Sequence, residues 1–178
     1  MNLSEFRPTD YDEIAKLFTI VFSDSEGESE GLLIGKLARD LMNSTAPEDL
    51  FGFVVRDSTE IIGSIFFSRL AFANQISAFL LSPVAIHTDY QGQGIGQKLI
   101  NYGINILKDN GVNLIFTYGD PDFYKKVGFK PISEELAKAP LKLKYPFGWL
   151  CQSLDGAKIE PIAGSSHCVP ALNHPEYW

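Results

Sequence analysis

An apolar run, three alternating glycines and an amphipathic stretch follow one another over residues 79–109, and nothing else constrains the chain as much. Phe79 to Ile86 is apolar and short enough to be a buried strand. A polar link follows, then Gly92, Gly94 and Gly96. Ile95, Leu99, Tyr102 and Ile106 recur at helical spacing, which predicts a helix over 95–109. Lys108 complements its C-terminal dipole, and Gly111 is its stop. Strand, glycine loop and helix N-terminus together make a place to hold phosphate. The glycines let the backbone come close to a ligand, and the first helical N–H groups have no partner of their own.

Two kinds of glycine loop are excluded by spacing. A nucleoside-triphosphate loop needs Lys and then Ser or Thr after its last glycine, whereas Gly96 is followed by Gln97, Lys98 and Leu99. A dinucleotide loop needs Gly-x-Gly-x-x-Gly, and Gln97 stands where the third glycine belongs. The pattern that fits is Gln-x-x-Gly-x-Gly, with Gln91, Gly94 and Gly96 in the fixed places. It resembles the pyrophosphate loop of GNAT-type N-acetyltransferases, which use acetyl-coenzyme A. About thirty residues on, Phe-Tyr-Lys-Lys-Val-Gly-Phe (123–129) is similar to the family's Tyr-x-x-x-Gly-Phe segment after its fifth strand. Tyr118-Gly119-Asp120-Pro121-Asp122-Phe123-Tyr124 resembles a bacterial branch of unassigned substrate. The opening Phe6-Arg7-Pro8-Thr9-Asp10-Tyr11-Asp12 also fits the family's start, so the resemblance covers roughly residues 3–133.

Length and composition agree with a single globular domain: 178 residues, 45% hydrophobic and 21% charged. No apolar run approaches the ~20 residues of a membrane span, and no basic-then-apolar leader opens the chain. Cys151 and Cys168 lack metal-ligand spacing, so two free thiols in a reducing cytoplasm are expected, with a disulfide left open. Residues 1–60 carry 13 acidic and 5 basic side chains, within a chain of net charge −7. With no basic stripe to neutralise phosphates, nucleic acid is not an expected partner. The acidic third either keeps the protein soluble or attracts a cationic acceptor.

Along the chain, a strand over 3–7 precedes a helix over 10–22, with Asp10 as its cap and Glu13 three residues on. Residues 23–31 are polar and glycine-rich and predict a mobile acidic loop, followed by a helix over 29–43. Strands over 51–57 and 60–70 are joined by a short polar turn. A long strand over 76–86 leads into the glycine loop. After the 95–109 helix come a strand over 112–118, a short helix over 121–126 and a strand over 127–132. The fold class is α/β (α+β): a GNAT-like mixed, mostly antiparallel central sheet flanked by helices, with a C-terminal strand and loop extension. The domain reading is a core over 1–135 and an extension over 136–178 packed on the same domain. Residues 164–178 suit an arm along the surface, or a homodimer contact.

The resemblance implies site residues. Val84, Ala85 and Ile86 would offer backbone groups to the pantetheine arm. Gln91, Gly92, Gln93, Gly94, Ile95 and Gly96 would hold the pyrophosphate through their N–H groups. Tyr124 would be the general acid to the coenzyme A thiolate, as a phenol can hydrogen-bond sulfur and hand over a proton. No base is identified. Glu26, Glu28, Asp120, Asp122 and His87 are candidates, each read first as an ordinary solvated or strand-end group. No metal is expected: there is no His-Glu-x-x-His and no Cys-x-x-Cys. The expected reaction is acetyl transfer from acetyl-coenzyme A to a small-molecule amine or to a lysine or N-terminal amine of a peptide. The rival is a non-catalytic acyl-coenzyme A-binding sensor or regulatory module.

Overall fold

The computed structural model describes every residue from Met1 to Trp178. The strands are β1 (Asn2–Glu5), β2 (Leu50–Asp57), β3 (Glu60–Arg69), β4 (Ala71–Phe72), β5 (Ala78–Ile86), β6 (Leu114–Tyr118), β7 (Lys130–Pro131), β8 (Trp149–Ser153) and β9 (Ser166–His167). The α-helices are α1 (Tyr11–Glu26), α2 (Glu28–Ser44), α3 (Ile95–Asp109) and α4 (Pro121–Tyr124). Seven strands run in the order β1-β2-β3-β5-β6-β8-β7, and β4 pairs with β9. β5–β6 is parallel, whereas β1–β2, β6–β8 and β7–β8 are antiparallel. The mixed, mostly antiparallel sheet expected from the sequence is present.

The chain divides into two compact units: Met1–Phe66 with Pro83–Gly103, and Phe67–Ser82 with Ile104–Trp178. The division falls inside β3, β5 and α3, so each of these elements contributes residues to both. The boundary expected at 135/136 lies within the second unit, where β8 pairs with both β6 and β7.

In the first unit, residues 23–31 are helical, which corrects the acidic-loop reading. α1 continues to Glu26, Gly27 turns the chain at φ +102°, and α2 starts at Glu28. Polarity misled because those side chains face solvent while the small residues among them face a helix. A Cβ on Gly31 would lie 1.9 Å from Ser23 Oγ and 2.4 Å from the Thr19 carbonyl oxygen. A Cβ on Gly35 would lie 2.0 Å from Thr19 Oγ1. Gly27 thus makes the turn, and Gly31 and Gly35 allow the two helices to approach closely.

The expected capping box at α1 is also corrected. Asp10 makes no side-chain cap bond to the helix. Its carboxylate accepts the Arg7 N–H at 2.8 Å and pairs with Arg56 at 2.6 Å. Glu13 accepts the Ile61 N–H at 2.7 Å instead. Burial acts to raise the Asp10 pKa but is outweighed by the Arg56 guanidinium and the Arg7 amide, so it lies below the ordinary aspartate value. Phe6, Phe18 and Phe66 build the core beside it, with Phe66 5.7 Å from Phe6 and 5.9 Å from Phe18.

α3 has the predicted bounds, but its buried stripe is turned from the predicted face. Ile95, Leu99, Ile100, Ile104 and Leu107 are buried, and Tyr102 and Ile106 only half so. In the second unit, Trp149 on β8 is buried, stacks on Phe116 at 5.1 Å, and donates its indole N–H to Ala137. The tail lies along the second unit with buried anchors. Ala171, Leu172 and Trp178 are buried, and Trp178 stacks on Tyr118 at 6.0 Å.

Candidate active site

The glycine loop belongs to the first unit. β5 delivers Val84, Ala85 and Ile86, and the His87 N–H bonds the Ile62 carbonyl at 2.8 Å. A 3-10 turn over Thr88–Tyr90 follows. It is tied down twice, by Thr88 Oγ1 donating to Asp24 (2.7 Å) and by the Tyr90 hydroxyl donating to Asp57 (3.2 Å). The Gln91 side chain reaches back to the Ile86 carbonyl at 2.9 Å, and its backbone N–H closes the turn on Thr88 at 3.3 Å. The Gln93 side chain donates to the Asp89 carbonyl at 3.4 Å. Both glutamines thus brace the loop.

Gly92 and Gly94 have φ of +74° and +75°, a conformation that L side chains rarely adopt, and the space above each is open for 4 Å. The first ladder bond of α3 is Lys98 N–H to the Gly94 carbonyl, at 3.1 Å. The amides of Ile95, Gly96 and Gln97 precede it, at the positive end of a 15-residue helix. No Lys or Arg occurs from His87 to Gln97. An anion placed here would meet only backbone donors and the helix dipole. This open cradle fits a pyrophosphate.

Tyr124 belongs to the second unit. Asp120 caps α4, its side chain accepting the Asp122 N–H at 2.9 Å, and Pro121 opens the first turn. The Tyr124 ring is half-buried and meets Phe123 (5.0 Å) and Phe129 (5.7 Å) edge-on. It lies so close over Gly119 that a Cβ there would stand 2.8 Å from its Cε2. The phenol hydrogen-bonds Thr117. Thr117 is buried and donates its hydroxyl to the Leu81 carbonyl at 2.8 Å. Burial raises the phenol pKa, the Thr117 bond lowers it in part, and the charge of Asp120 raises it again. The net shift is upward, and the group remains a proton donor throughout the neutral range.

The Thr117–Leu81 bond also marks where β5 leaves its neighbour. The parallel register runs from Ala78–Leu114 to Leu81–Thr117 and stops there, while β5 continues to Ile86. Pro83, lacking an N–H, stands just beyond. Thr117, Gly119 and Phe129 were not identified as shaping residues from the sequence. Gly119 and Phe129 lie inside the two recognised segments, whereas nothing in the sequence singled out Thr117.

Among the candidate bases, Glu26 and Glu28 are exposed at the facing ends of α1 and α2, on either side of Gly27. Asp122 holds Lys125 at 2.5 Å, and Asp120 is the α4 cap. His87 Nδ1 accepts the Asp89 N–H at 3.3 Å. Both cysteines are free thiols. Burial pushes Cys151 up to about 12, which keeps it protonated and unreactive at neutral pH.

Comparison with known proteins supplies the domain and the fold. The profile of the acetyltransferase (GNAT) domain matches residues 48–131. The uncharacterized N-acetyltransferase YjhQ of Escherichia coli (strain K12) is 27% identical over 139 residues, 75% of this chain and 76% of its own. The crystal structure of the GNAT family N-acetyltransferase YhbS from Escherichia coli, in complex with CoA, superposes with a TM-score of 0.84 at 22% identity, covering 97% of this chain and 92% of that one. A GNAT family acetyltransferase from Brucella melitensis, in complex with acetyl-CoA, gives 0.76 at 22% identity over 97% of both chains. The glycine loop and the Tyr-x-x-x-Gly-Phe segment thus sit in a chain whose residues 48–131 match the GNAT acetyltransferase domain and whose fold is that of GNAT acetyltransferases.

Proposed function

We propose that this protein moves the acetyl group of acetyl-coenzyme A directly onto a primary amine, with Tyr124 as the general acid. The carrying observation is the loop itself: two glycines at positive φ under open space, on the N-terminus of α3. The relatives named above are N-acetyltransferases, and two of the similar structures hold CoA or acetyl-CoA.

The pyrophosphate rests on the N–H groups of Gly92, Gln93, Gly94, Ile95 and Gly96, with Gln91 bracing the loop from beneath. The backbone of Val84, Ala85 and Ile86 pairs with the pantetheine arm, a reading supported by the end of the β6 ladder at Leu81. A backbone N–H of this stretch faces the thioester oxygen as charge builds on it. The neutral amine attacks the carbonyl carbon, the C–N bond forms and the C–S bond breaks. The sulfur leaves with the bonding pair and takes the Tyr124 proton, while the amine's surplus proton passes to solvent. The raised phenol pKa suits this role, because the proton is present when the thiolate forms.

Calorimetric titration with acetyl-coenzyme A, paired with thiol release over a panel of amines, tests the reading. Wild type is expected to bind and to release thiol only with an amine present. Gly94→Ala is expected to bind at least about ten-fold more weakly, since a left-handed L residue costs ~1–2 kcal/mol and its methyl enters the cradle. Tyr124→Phe is expected to keep its affinity and lose about ten-fold or more in kcat, the low end of general acid catalysis. Binding without thiol release on any amine points to a non-catalytic acyl-coenzyme A sensor. No binding removes the functional reading of the loop.

A further inference from the structure

We propose that a pocket at the end of β6 binds a cationic group of the acceptor, an alkylammonium set between the Asp120 carboxylate and the rings of Tyr118, Tyr145 and Phe147. The purpose of the pocket rests on the acetyltransferase reading; its ligand chemistry does not. The pocket encloses about 320 Å³ within the second unit, and Gly119, Pro121 and Gly148 complete its lining.

Two features set it apart from ordinary surface. The first is its aromatic content. Tyr145 and Phe147 are 60% and 69% exposed, with ring centres 5.9 Å apart. Large rings left beside each other in water are costly unless a ligand covers them. They are also held in place. The Tyr145 N–H donates to the Tyr118 hydroxyl at 2.8 Å, the Gly148 N–H closes a turn on Tyr145 at 2.8 Å, and the Gly119 N–H donates to the Gly148 carbonyl at 3.0 Å. A Cβ on Gly148 would meet the Gly119 oxygen at 3.0 Å, so the segment lies directly on the strand end. Tyr118 is fixed in turn by its stack on Trp178. Such a preformed pocket orders little on binding.

The second feature is charge. Asp120 Oδ1 accepts the Asp122 N–H, and the neighbouring Lys125 pairs with Asp122. No ion pair reaches Asp120. Lys142 and Lys144 are exposed and lie outside the lining. Lys125 feels the Asp120 charge but is held by Asp122, so a carboxylate in no ion pair, lining a pocket with three aromatic rings, favours an ammonium over a neutral or anionic group.

The place of the pocket ties it to the reaction. Gly119 lines it, and the Tyr124 ring packs on that same glycine. The attacking amine must be neutral, so the group held here is a second, protonated amine. The substrate class is therefore a diamine or polyamine rather than a simple alkylamine.

The test uses choline and its neutral isostere 3,3-dimethylbutan-1-ol, titrated without coenzyme into wild type, Asp120→Asn and Phe147→Ala. Asn keeps the α4 cap and removes only the charge. Wild type is expected to bind choline at least ten-fold more tightly than the isostere. Asp120→Asn is expected to lose that preference, and Phe147→Ala to weaken both probes. Acetyl-coenzyme A affinity, measured separately, is expected to be unchanged in both variants. Rates should then show a KM for 1,4-diaminobutane at least ten-fold below that for butylamine, and this gap should close in Asp120→Asn. Equal binding of the two probes, no binding of choline, or an unaltered preference in Asp120→Asn overturns the proposal. Choline binding with no acetyl-coenzyme A binding would instead sink the transferase reading and leave the pocket standing.

Discussion

Gly119 has no side chain, and the ring of Tyr124 fills the space that one would take. A methyl at this position would stand 2.8 Å from Cε2, with Phe123 and Phe129 closing the ring's other sides. Gly119→Ala must therefore displace the phenol. A misplacement of about 1 Å can cost ~10²-fold in rate, so kcat should fall by about ten-fold or more while acetyl-coenzyme A affinity holds. Initial rates and calorimetry on the one variant separate the two. Asp10 offers a prediction in pH. Its pKa in the folded chain is depressed below 3.8, so its contribution to stability is complete above the ordinary aspartate value and is lost as pH falls through the folded one. Asp10→Asn leaves the nearly buried Arg56 without its counter-charge, and such a broken pair costs ~3–5 kcal/mol. Urea unfolding should show that difference at pH 7 and a smaller one at pH 3. Tyr124 can be proposed from the sequence because it lies in a recognisable segment. The Arg56–Asp10 pair cannot be read there, since its partners lie far apart in the chain and only the fold brings them together.

At the scale of elements, the predicted strands and helices lie close to where periodicity placed them. The exception shows why periodicity works. Residues 23–31 hold four acidic side chains and two glycines, a composition that reads as a loop. Most of the stretch is helix, because Thr19, Ser23, Gly31 and Gly35 form a seam of small residues where two backbones meet. A hydrophobic stripe announces itself, whereas a seam of small residues does not. The seam predicts a large response to a small change. Gly31→Ala places a methyl 2.4 Å from a backbone oxygen that cannot move alone. Overpacking of this kind costs ~1–3 kcal/mol, against the gain of a few tenths to 1 kcal/mol that Gly→Ala brings in an open helix. A lowered urea midpoint at unchanged m-value is the expected result, and a raised midpoint would show that the helices yield. The pairing of β8 between β6 and β7 was equally hidden. Chain order runs β6, β7, β8, and local patterning carries no information about which strand a later one joins.

Across the whole molecule, the chain passes between its two units inside β3, inside β5 and inside α3, rather than through linkers. Unfolding one unit alone would cut three regular elements partway along. Helices and strands resist this, because each hydrogen bond is held by its neighbours and a new end must be created at a cost. One transition is therefore expected, and the distribution of chromophores makes it testable. Both tryptophans, Trp149 and Trp178, lie in the second unit, whereas α1 and α2 lie wholly in the first. Tryptophan fluorescence reports on one unit and far-ultraviolet circular dichroism mainly on the other. In urea, the two curves should coincide for wild type. The sharper form of the test uses Gly31→Ala, whose strain lies entirely within the first unit. If the units fold as one, this variant shifts the tryptophan transition as far as the helical one. If the tryptophan curve stays where it was, the two units unfold independently, and the three shared elements do not couple them.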